Sequence, residues 1–295
     1  MLTFDLSIII ISYNTKAITL NCLNSVLNSI QKIKYEIIVI DNASNDDSYE
    51  EIKKLSSTHS QIRIIRNQQN TGFSKANNQA SNSARSAHLL FLNSDILVQK
   101  DAIEKMYTYF KQDEKTINFL GGKLLNRDLS MQPSCGPFYS LPVIFTALYL
   151  RGDYWGLTRY SPNVIKQVDW VSGACIMTKK EYFEKIGGFD EGIFMYIEEI
   201  DLFYRVHYYG YSTFFYPEAQ FIHLGSASSG KRTYPILQVF KGLIYFYQKY
   251  YPRRIPFLKF MLQLKARIGV LIGALFNNNY LKETYGKALS ITELA

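Results

Sequence analysis

Residues 6–14 read Leu6-Ser7-Ile8-Ile9-Ile10-Ile11-Ser12-Tyr13-Asn14, an almost uninterrupted β-branched run that turns polar at Ser12. A strand of this kind has no polar face to offer water, so it is read as an interior strand of a sheet covered on both sides. Ile18, Leu23, Val26, Leu27 and Ile30 then recur at roughly helical spacing, which predicts a helix next. The pattern repeats, with strands over 36–40, 62–66 and 88–92 and helices over 48–55 and 74–87. Four strands alternating with three helices predict a three-layer, doubly wound, mostly parallel α/β sheet with right-handed crossovers.

Beyond a helix at 101–110 the alternation loosens. Residues 121–163 are punctuated by Gly, Pro and Ser and have no clean period, so loops and short antiparallel pieces are expected. Strands at 168–177 and 213–216 and helices at 180–186 and 198–209 make a mixed extension of the same sheet. From Pro235 aromatic and aliphatic residues interleave with cations, and Pro252 and Pro256 divide two helical stretches. The expected division is one α/β unit at 1–230, with a doubly wound half of about 1–100 and a mixed half of about 101–230. Basic amphipathic helices follow at 231–295.

The chain has 295 residues, 47% hydrophobic and 20% charged, enough for a sizeable core. Its net charge of +8 is concentrated: residues 231–295 hold eleven Lys or Arg against two acids. The aromatic and aliphatic content of that tail fits an anionic membrane surface better than nucleic acid. Cys22, Cys135 and Cys175 are odd in number and far apart, which argues against a disulfide framework or structural zinc and fits a reducing compartment. No export signal and no span of about 20 apolar residues is visible, so a cytoplasmic, peripheral protein is expected.

In an open parallel sheet, ligands bind beyond the carboxyl ends of the strands. The residues there are Ser12-Tyr13-Asn14, Asp41-Asn42-Ala43-Ser44 and Asn93-Ser94-Asp95. Each cluster also reads as ordinary helix caps and turns. Asn70-Thr71-Gly72-Phe73 precedes the helix holding Asn77 and Asn78, where Gly72 would relieve a tight turn and amides would face an anion. No Gly-x-Gly-x-x-Gly follows the first strand, which weighs against a nicotinamide or flavin cofactor.

Five ordered motifs carry a family resemblance. They are Ser-Ile-Ile-Ile-Ile-Ser-Tyr-Asn from Ser7, Val-Ile-Asp-Asn-Ala-Ser-Asn-Asp from Val39 and Asn-Thr-Gly-Phe-Ser-Lys-Ala-Asn-Asn from Asn70. The others are Leu-Asn-Ser-Asp from Leu92, and Gly-Gly-Phe-Asp-Glu from Gly187 running into Tyr-Ile-Glu-Glu-Ile-Asp-Leu. Over about residues 5–230 the chain resembles the family 2 glycosyltransferases, particularly the branch of bacterial rhamnosyltransferases. The resemblance implies a GT-A fold with a C-terminal helical appendage and inverting, metal-dependent sugar transfer in cell-surface polysaccharide synthesis.

It also implies roles. Ser12, Tyr13, Asn14, Asp41, Asn70, Gly72, Asn77, Asn78 and Asn93 would bind the donor, with Asp41 reading a pyrimidine base. Asn93-Ser94-Asp95 stands where the family has a DxD motif, with Asn in place of the first acid. Asp95 would then bind Mg²⁺ or Mn²⁺, helped by His223, which Gly225 and two serines follow. Asn93 would bond the ribose or a metal-bound water. Glu199 would be the general base in place of the usual Asp, with Glu198 as the runner-up because the two lie about 100° apart on a helix. Asp201 is read as structural, paired with Arg205. Trp170, Ser172, Gly173 and Asp190 would border the acceptor, and a core position is an equal reading of Trp170.

The expected donor is dTDP-rhamnose, with a UDP-hexose second, and the expected acceptor is a glycan or lipid-linked glycan. A homo-oligomer is left open. Two rivals are a sugar-phosphate nucleotidyltransferase and a catalytically silent nucleotide-sugar-binding module. The first would want a Gly-rich basic loop after strand one, and Ser12 to Lys16 has no glycine; the second would not need Asp41, Asp95, Glu199 and His223 together.

Overall fold

The computed structural model describes residues 4–225 and 233–294. The first half runs β1 (Leu6–Ser12), α1 (Lys16–Ser29), β2 (Tyr35–Asp41), α2 (Ser48–Thr58), β3 (Ile62–Arg66), α3 (Phe73–Ser83), β4 (His88–Asn93), β5 (Ile96–Val98) and α4 (Ala102–Gln112). It continues through β6 (Phe119–Leu125), β7 (Met131–Gln132), β8 (Cys135–Gly136), α5 (Leu141–Tyr149), β9 (Lys166–Gln167), β10 (Trp170–Val171) and β11 (Cys175–Lys179). Then come α6 (Lys180–Lys185), α7 (Glu198–Tyr208), β12 (Thr213–His223), α8 (Thr233–Tyr250), α9 (Ile255–Leu275) and α10 (Asn279–Leu294).

The main sheet has the order β3-β2-β1-β4-β11-β6-β12-β5, with β7 on β6 and β9 on β12. β3, β2, β1 and β4 are parallel, as their β-branched runs predicted. Both faces of β1 are covered. Ile9 packs in one apolar cluster with Ala76 and Ala80 of α3, while Ile8 and Ile10 pack in another with Cys22, Leu23 and Val26 of α1.

Three departures from the sequence reading have physical causes. β6, a central strand, lies partly in the stretch read as loops because it contains Gly121 and Gly122. Close packing places those glycines: a Cβ at Gly121 would lie 2.5 Å from Val171 Cβ, and one at Gly122 would lie 2.4 Å from the Phe221 ring. The run 168–177 is two strands, since Ser172-Gly173-Ala174 break it and β10 pairs with β8 in a separate two-stranded sheet. β12 extends to His223 because Pro217 sits where the register against β6 shifts between Tyr216 and Gln220.

In the tail, Pro252 and Pro256 separate α8 from α9 as expected, and Pro256 occupies the first turn of α9, where a missing N–H costs nothing. Three long helices follow residue 232 where two stretches were expected. Helix α8 buries Phe240, Leu243, Ile244, Phe246 and Tyr247 in the cluster that also holds Ile38 and Phe91. Full burial of such side chains contributes about 1.5–3 kcal/mol each, so α8 is bound firmly to the sheet layer.

Candidate functional site

The registers deliver the polar residues to one edge. Ser12 pairs with Asp41, Asp41 with Arg66, and Ile11 with Asn93, so the carboxyl ends of β1 to β4 finish level. β11 runs the opposite way and begins at that edge, where the Asn93 amide donates to the Ala174 carbonyl at 3.0 Å. Gly173 thereby comes beside Asn93. β12 is parallel to β6 and ends there at His223, and β5 pairs with it in antiparallel register so that His223 faces Ile96.

That last ladder brings Asp95 to His223, with Oδ1 and Nε2 3.3 Å apart. Gln132 fixes the imidazole: its Oε1 lies 2.7 Å from His223 Nδ1, while its Nε2 donates to Asn126 Oδ1 and to the His223 carbonyl. An amide oxygen facing Nδ1 accepts the proton of that nitrogen and turns Nε2 toward Asp95. A carboxylate oxygen and an imidazole nitrogen would suit Mn²⁺ or Mg²⁺. Among the described residues no group of three or more His, Cys, Asp or Glu could hold a metal. Ser226 and Ser228, which follow His223, lie outside the described residues.

Asp41 is fully buried. Its Oδ2 accepts the Ser44 amide at 3.3 Å and lies 3.8 Å from Arg66 Nε, whereas Oδ1 is buried with no partner. A buried carboxylate oxygen without a donor is costly, and a ligand N–H would satisfy it. Arg66 is held in place by stacking, 4.6 Å above the Tyr49 ring.

Glu198 and Glu199 open α7, after Tyr196 and Ile197, which are both left-handed at φ 65° and 71°. Such residues cost of order 1–3 kcal/mol each and persist only where packing enforces them. Here Gly242 lets α8 pack directly on them, since a Cβ on it would meet Ile197 and the Tyr196 carbonyl at 2.9 Å. Both acids lie beside Gly173, Glu198 through its carboxylate and Glu199 through its Cβ: a Cβ at Gly173 would lie 3.7 Å from Glu198 Oε1 and 3.6 Å from Glu199 Cβ. Oε2 of each is buried without a partner. Burial and the neighbouring Glu199 charge push the Glu198 carboxyl well above the ordinary glutamate range. Burial raises Glu199 too, but the Arg159 charge opposes it.

Arg159 was not legible in the sequence. It lies in the stretch without a period, 5.4 Å from the Trp170 ring centre, and its Nε is buried and unpartnered. The only sequence signal is a cation flanked by Tyr154, Trp155 and Tyr160.

Several expected site residues are committed elsewhere. Trp170 is fully buried, donates Nε1–H to the Pro137 carbonyl at 2.8 Å, and so takes the core reading and offers no face to a sugar. Asp190 accepts from Lys249 Nζ at 2.5 Å, Gly192 N at 2.8 Å and Tyr245 Oη at 3.1 Å. Burial alone would raise its carboxyl, but those donors hold it below the ordinary value. Ser12 is buried on Thr19 Oγ1 at 3.0 Å. Asn77 is buried and bonds back to the Phe73 carbonyl. Asn78 clamps Phe189, accepting its N–H and donating to its carbonyl, both at 2.9 Å.

The Asn70 motif docks the acid loop. Asn70 Oδ1 accepts from Asn42 Nδ2 and the Gly72 amide, and Gly72, at φ 83°, lets Phe194 approach to where a Cβ would be 2.7 Å from its carbonyl oxygen. That carbonyl takes the Phe73 amide at 2.8 Å, so the first amide of α3 serves the protein and not an anion. Asn42, with no role foreseen, is the hub that also accepts from Asn67 and Thr71. Tyr13 stays half-buried, and Asn14 is exposed at φ 52° with its Oδ1 on the Asn45 amide at 2.8 Å. Ser172 hydrogen-bonds through its N–H to the Ser134 carbonyl at the start of the turn into β11. Asp201 is structural as expected, bound by Arg205, Lys249 and Tyr250, each at 2.8 Å.

The family model described as Glycosyl transferase family 2 matches residues 7–129. The low-salt glycan biosynthesis hexosyltransferase Agl10 of Haloferax volcanii is 30% identical over 206 residues, covering 68% of this chain and 61% of that one. The N-acetylglucosaminyl-diphospho-decaprenol L-rhamnosyltransferase of Mycobacterium tuberculosis is 36% identical over 66 residues, 22% of each chain. The chain thus spans less than two thirds of either relative's length. In fold it matches the crystal structure of GalNAc-T7 with UDP, GalNAc and Mn²⁺, with a TM-score of 0.62, 15% identity, and 81% of this chain and 47% of that one covered. Five motifs in order, a sheet that gathers them at one edge and these matches together identify a glycosyltransferase family 2 region, matched over residues 7–129, on a GT-A fold and with likeness to the rhamnosyltransferases.

Proposed function

We propose that the protein is an inverting glycosyltransferase that moves rhamnose from dTDP-rhamnose, with a UDP-hexose as the second choice, onto a lipid-linked glycan in cell-surface polysaccharide synthesis. The observation that carries this reading is the meeting near one sheet edge of the unpartnered Asp41 Oδ1, the Asp95–His223 pair, and the Glu198–Glu199 pair beside Gly173 with an unpartnered Oε2 on each. Asp41 takes the imide N–H of a pyrimidine, Asn93 bonds the ribose, and Tyr13 and Asn14 border the donor. Asp95 and His223 would hold Mg²⁺ or Mn²⁺, which when bound neutralises the leaving diphosphate.

Of the two acids, Glu198 keeps its proton, because burial and its neighbour both disfavour a charge there. Glu199, beside Arg159, is the one that ionises. As the acceptor oxygen attacks the anomeric carbon, Glu199 takes its proton, and the nucleoside diphosphate leaves from the opposite face with the bonding pair. Gly173 leaves the space for the acceptor. The lipid-linked acceptor is supported by the name of the mycobacterial relative, and such an acceptor fits a protein held peripherally on the cytoplasmic side of a membrane.

A screen of dTDP-rhamnose, UDP-hexoses and GDP-mannose for slow hydrolysis, with Mn²⁺ and with excess chelator, tests class and donor together. Turnover of no pyrimidine donor, or full turnover in chelator, would overturn the reading. A second expectation concerns Gln132: Gln132→Leu frees the His223 ring and should weaken Mn²⁺ binding by roughly 10- to 100-fold. Calorimetric titration with Mn²⁺ reads this without any sugar present, and an unchanged isotherm would exclude His223 from the metal site.

A further inference from the structure

Helix α9 is apolar on two opposite sides. Leu258, Leu262, Ala266, Gly269 and Gly273 are buried along one of them. Phe257, Phe260, Leu264, Ile268, Leu271 and Leu275 remain 37–71% exposed. At 100° per residue these six fall within an arc of about 80°, centred almost opposite the buried stripe. Isolated exposed apolar residues need no explanation, but a continuous stripe of six along a 21-residue helix does.

The surroundings of the stripe indicate what covers it. Helix α9 contains no Asp or Glu, Arg267 flanks the stripe, and Arg253 and Arg254 are exposed just before its start. Helix α5 lies against α9, with Tyr149 Oη donating to the Met261 carbonyl at 2.5 Å and Lys265 Nζ to the Leu148 carbonyl at 2.8 Å. The turn after α5 exposes Leu150, Tyr154, Trp155 and Leu157, each more than half, together with Arg151 and one acid, Asp153, which accepts from Thr158 Oγ1. Aromatic and aliphatic side chains rimmed by cations match the interface of an anionic bilayer. A second copy of the chain would set these cations against their own kind. No described helix is long and apolar enough to cross a membrane.

We infer that the outer face of α9, with the Tyr154–Trp155 turn, lies in the interface of an anionic lipid bilayer and seats the enzyme there. The inference rests on the lipid-linked acceptor for its purpose and adds the face by which the enzyme meets that acceptor. The segment that carries Trp155 reaches Arg159, beside Glu199, four residues later, so the bilayer contact and the acid pair share one short stretch of chain.

The test is co-sedimentation of the full chain with vesicles of phosphatidylcholine alone or mixed with phosphatidylglycerol. Binding should need the anionic lipid. Phe260→Glu with Leu271→Glu should lower it by at least about tenfold, and Arg253→Gln with Arg254→Gln by about fivefold per cation removed. The arginine pair is exposed, so it answers the question even if the first pair proves unstable. Wild-type binding by both pairs overturns the inference. So does a dimer that the first pair converts to monomer with vesicle binding intact, which would assign the stripe to a second copy. Transfer to a water-soluble acceptor analogue should survive in both pairs. Firm vesicle binding with no transfer to any lipid-linked acceptor would instead sink the acceptor reading and leave the docking face standing.

Discussion

Glu199→Gln is expected to lower turnover by roughly 10² to 10⁴ while nucleotide-sugar affinity stays at the wild-type value. The amide keeps the volume of the carboxylate, and the segments that hold Asp41 and Asp95 are separate from α7. Glu198→Gln is the companion. Burial and the Glu199 charge favour the protonated form of Glu198, so an amide there resembles the proposed state, and turnover should change little. A large loss at 198 with little at 199 would reverse the two roles, and near-normal transfer by both would end the mechanism. The pH profile gives an independent reading. Since burial raises the Glu199 carboxyl, kcat/KM should climb with pH through a midpoint above the ordinary glutamate value. The Arg159 charge favours the ionised form, so Arg159→Gln should move that limb to higher pH. A limb that stays put in Arg159→Gln would detach the arginine from the base.

Asp95→Ala is expected to reduce transfer by about 10² or more and to remove the dependence of donor binding on Mn²⁺, since a metal contributes several kcal/mol to stabilising the leaving group. The fold should hold, because it is the backbone carbonyl of Asp95 that accepts the Leu224 amide at 3.0 Å and the substitution leaves it in place. What remains is His223 alone, and one imidazole does not select a hard cation from water. Calorimetry of donor binding with and without Mn²⁺ decides the point: a metal-dependent isotherm that survives the substitution would place the cation elsewhere.

How far the sequence could be read depended on which force shapes each segment. β1 to β4 were legible because strands buried on both faces leave a direct composition signal, and the polar residues ending them, Asp41 and Asp95 above all, stand where the sheet geometry puts a site. The acid pair was legible through the Gly-Gly-Phe-Asp-Glu motif that precedes it. Gly121 and Gly122 hid β6, because what selects glycine there is the approach of Val171 and Phe221 from distant positions. Asn70, Asn77 and Asn78 were legible as important but not in kind: polar residues near a helix start suit an anion and a neighbouring loop equally well, and only the contacts to Phe73, Phe189 and Phe194 distinguish them. Arg159 left no more than a cation among aromatic residues, since its position depends on Trp170, which sits in the small second sheet.

The contact between Gly242 and the left-handed pair Tyr196–Ile197 has a consequence for the order of events during synthesis. The acid pair emerges from the ribosome more than forty residues before Gly242 does. Until then the contact with α8 is missing, and the two left-handed residues lack that support. The turn that carries the acids can therefore reach its final packing only after α8 has been made.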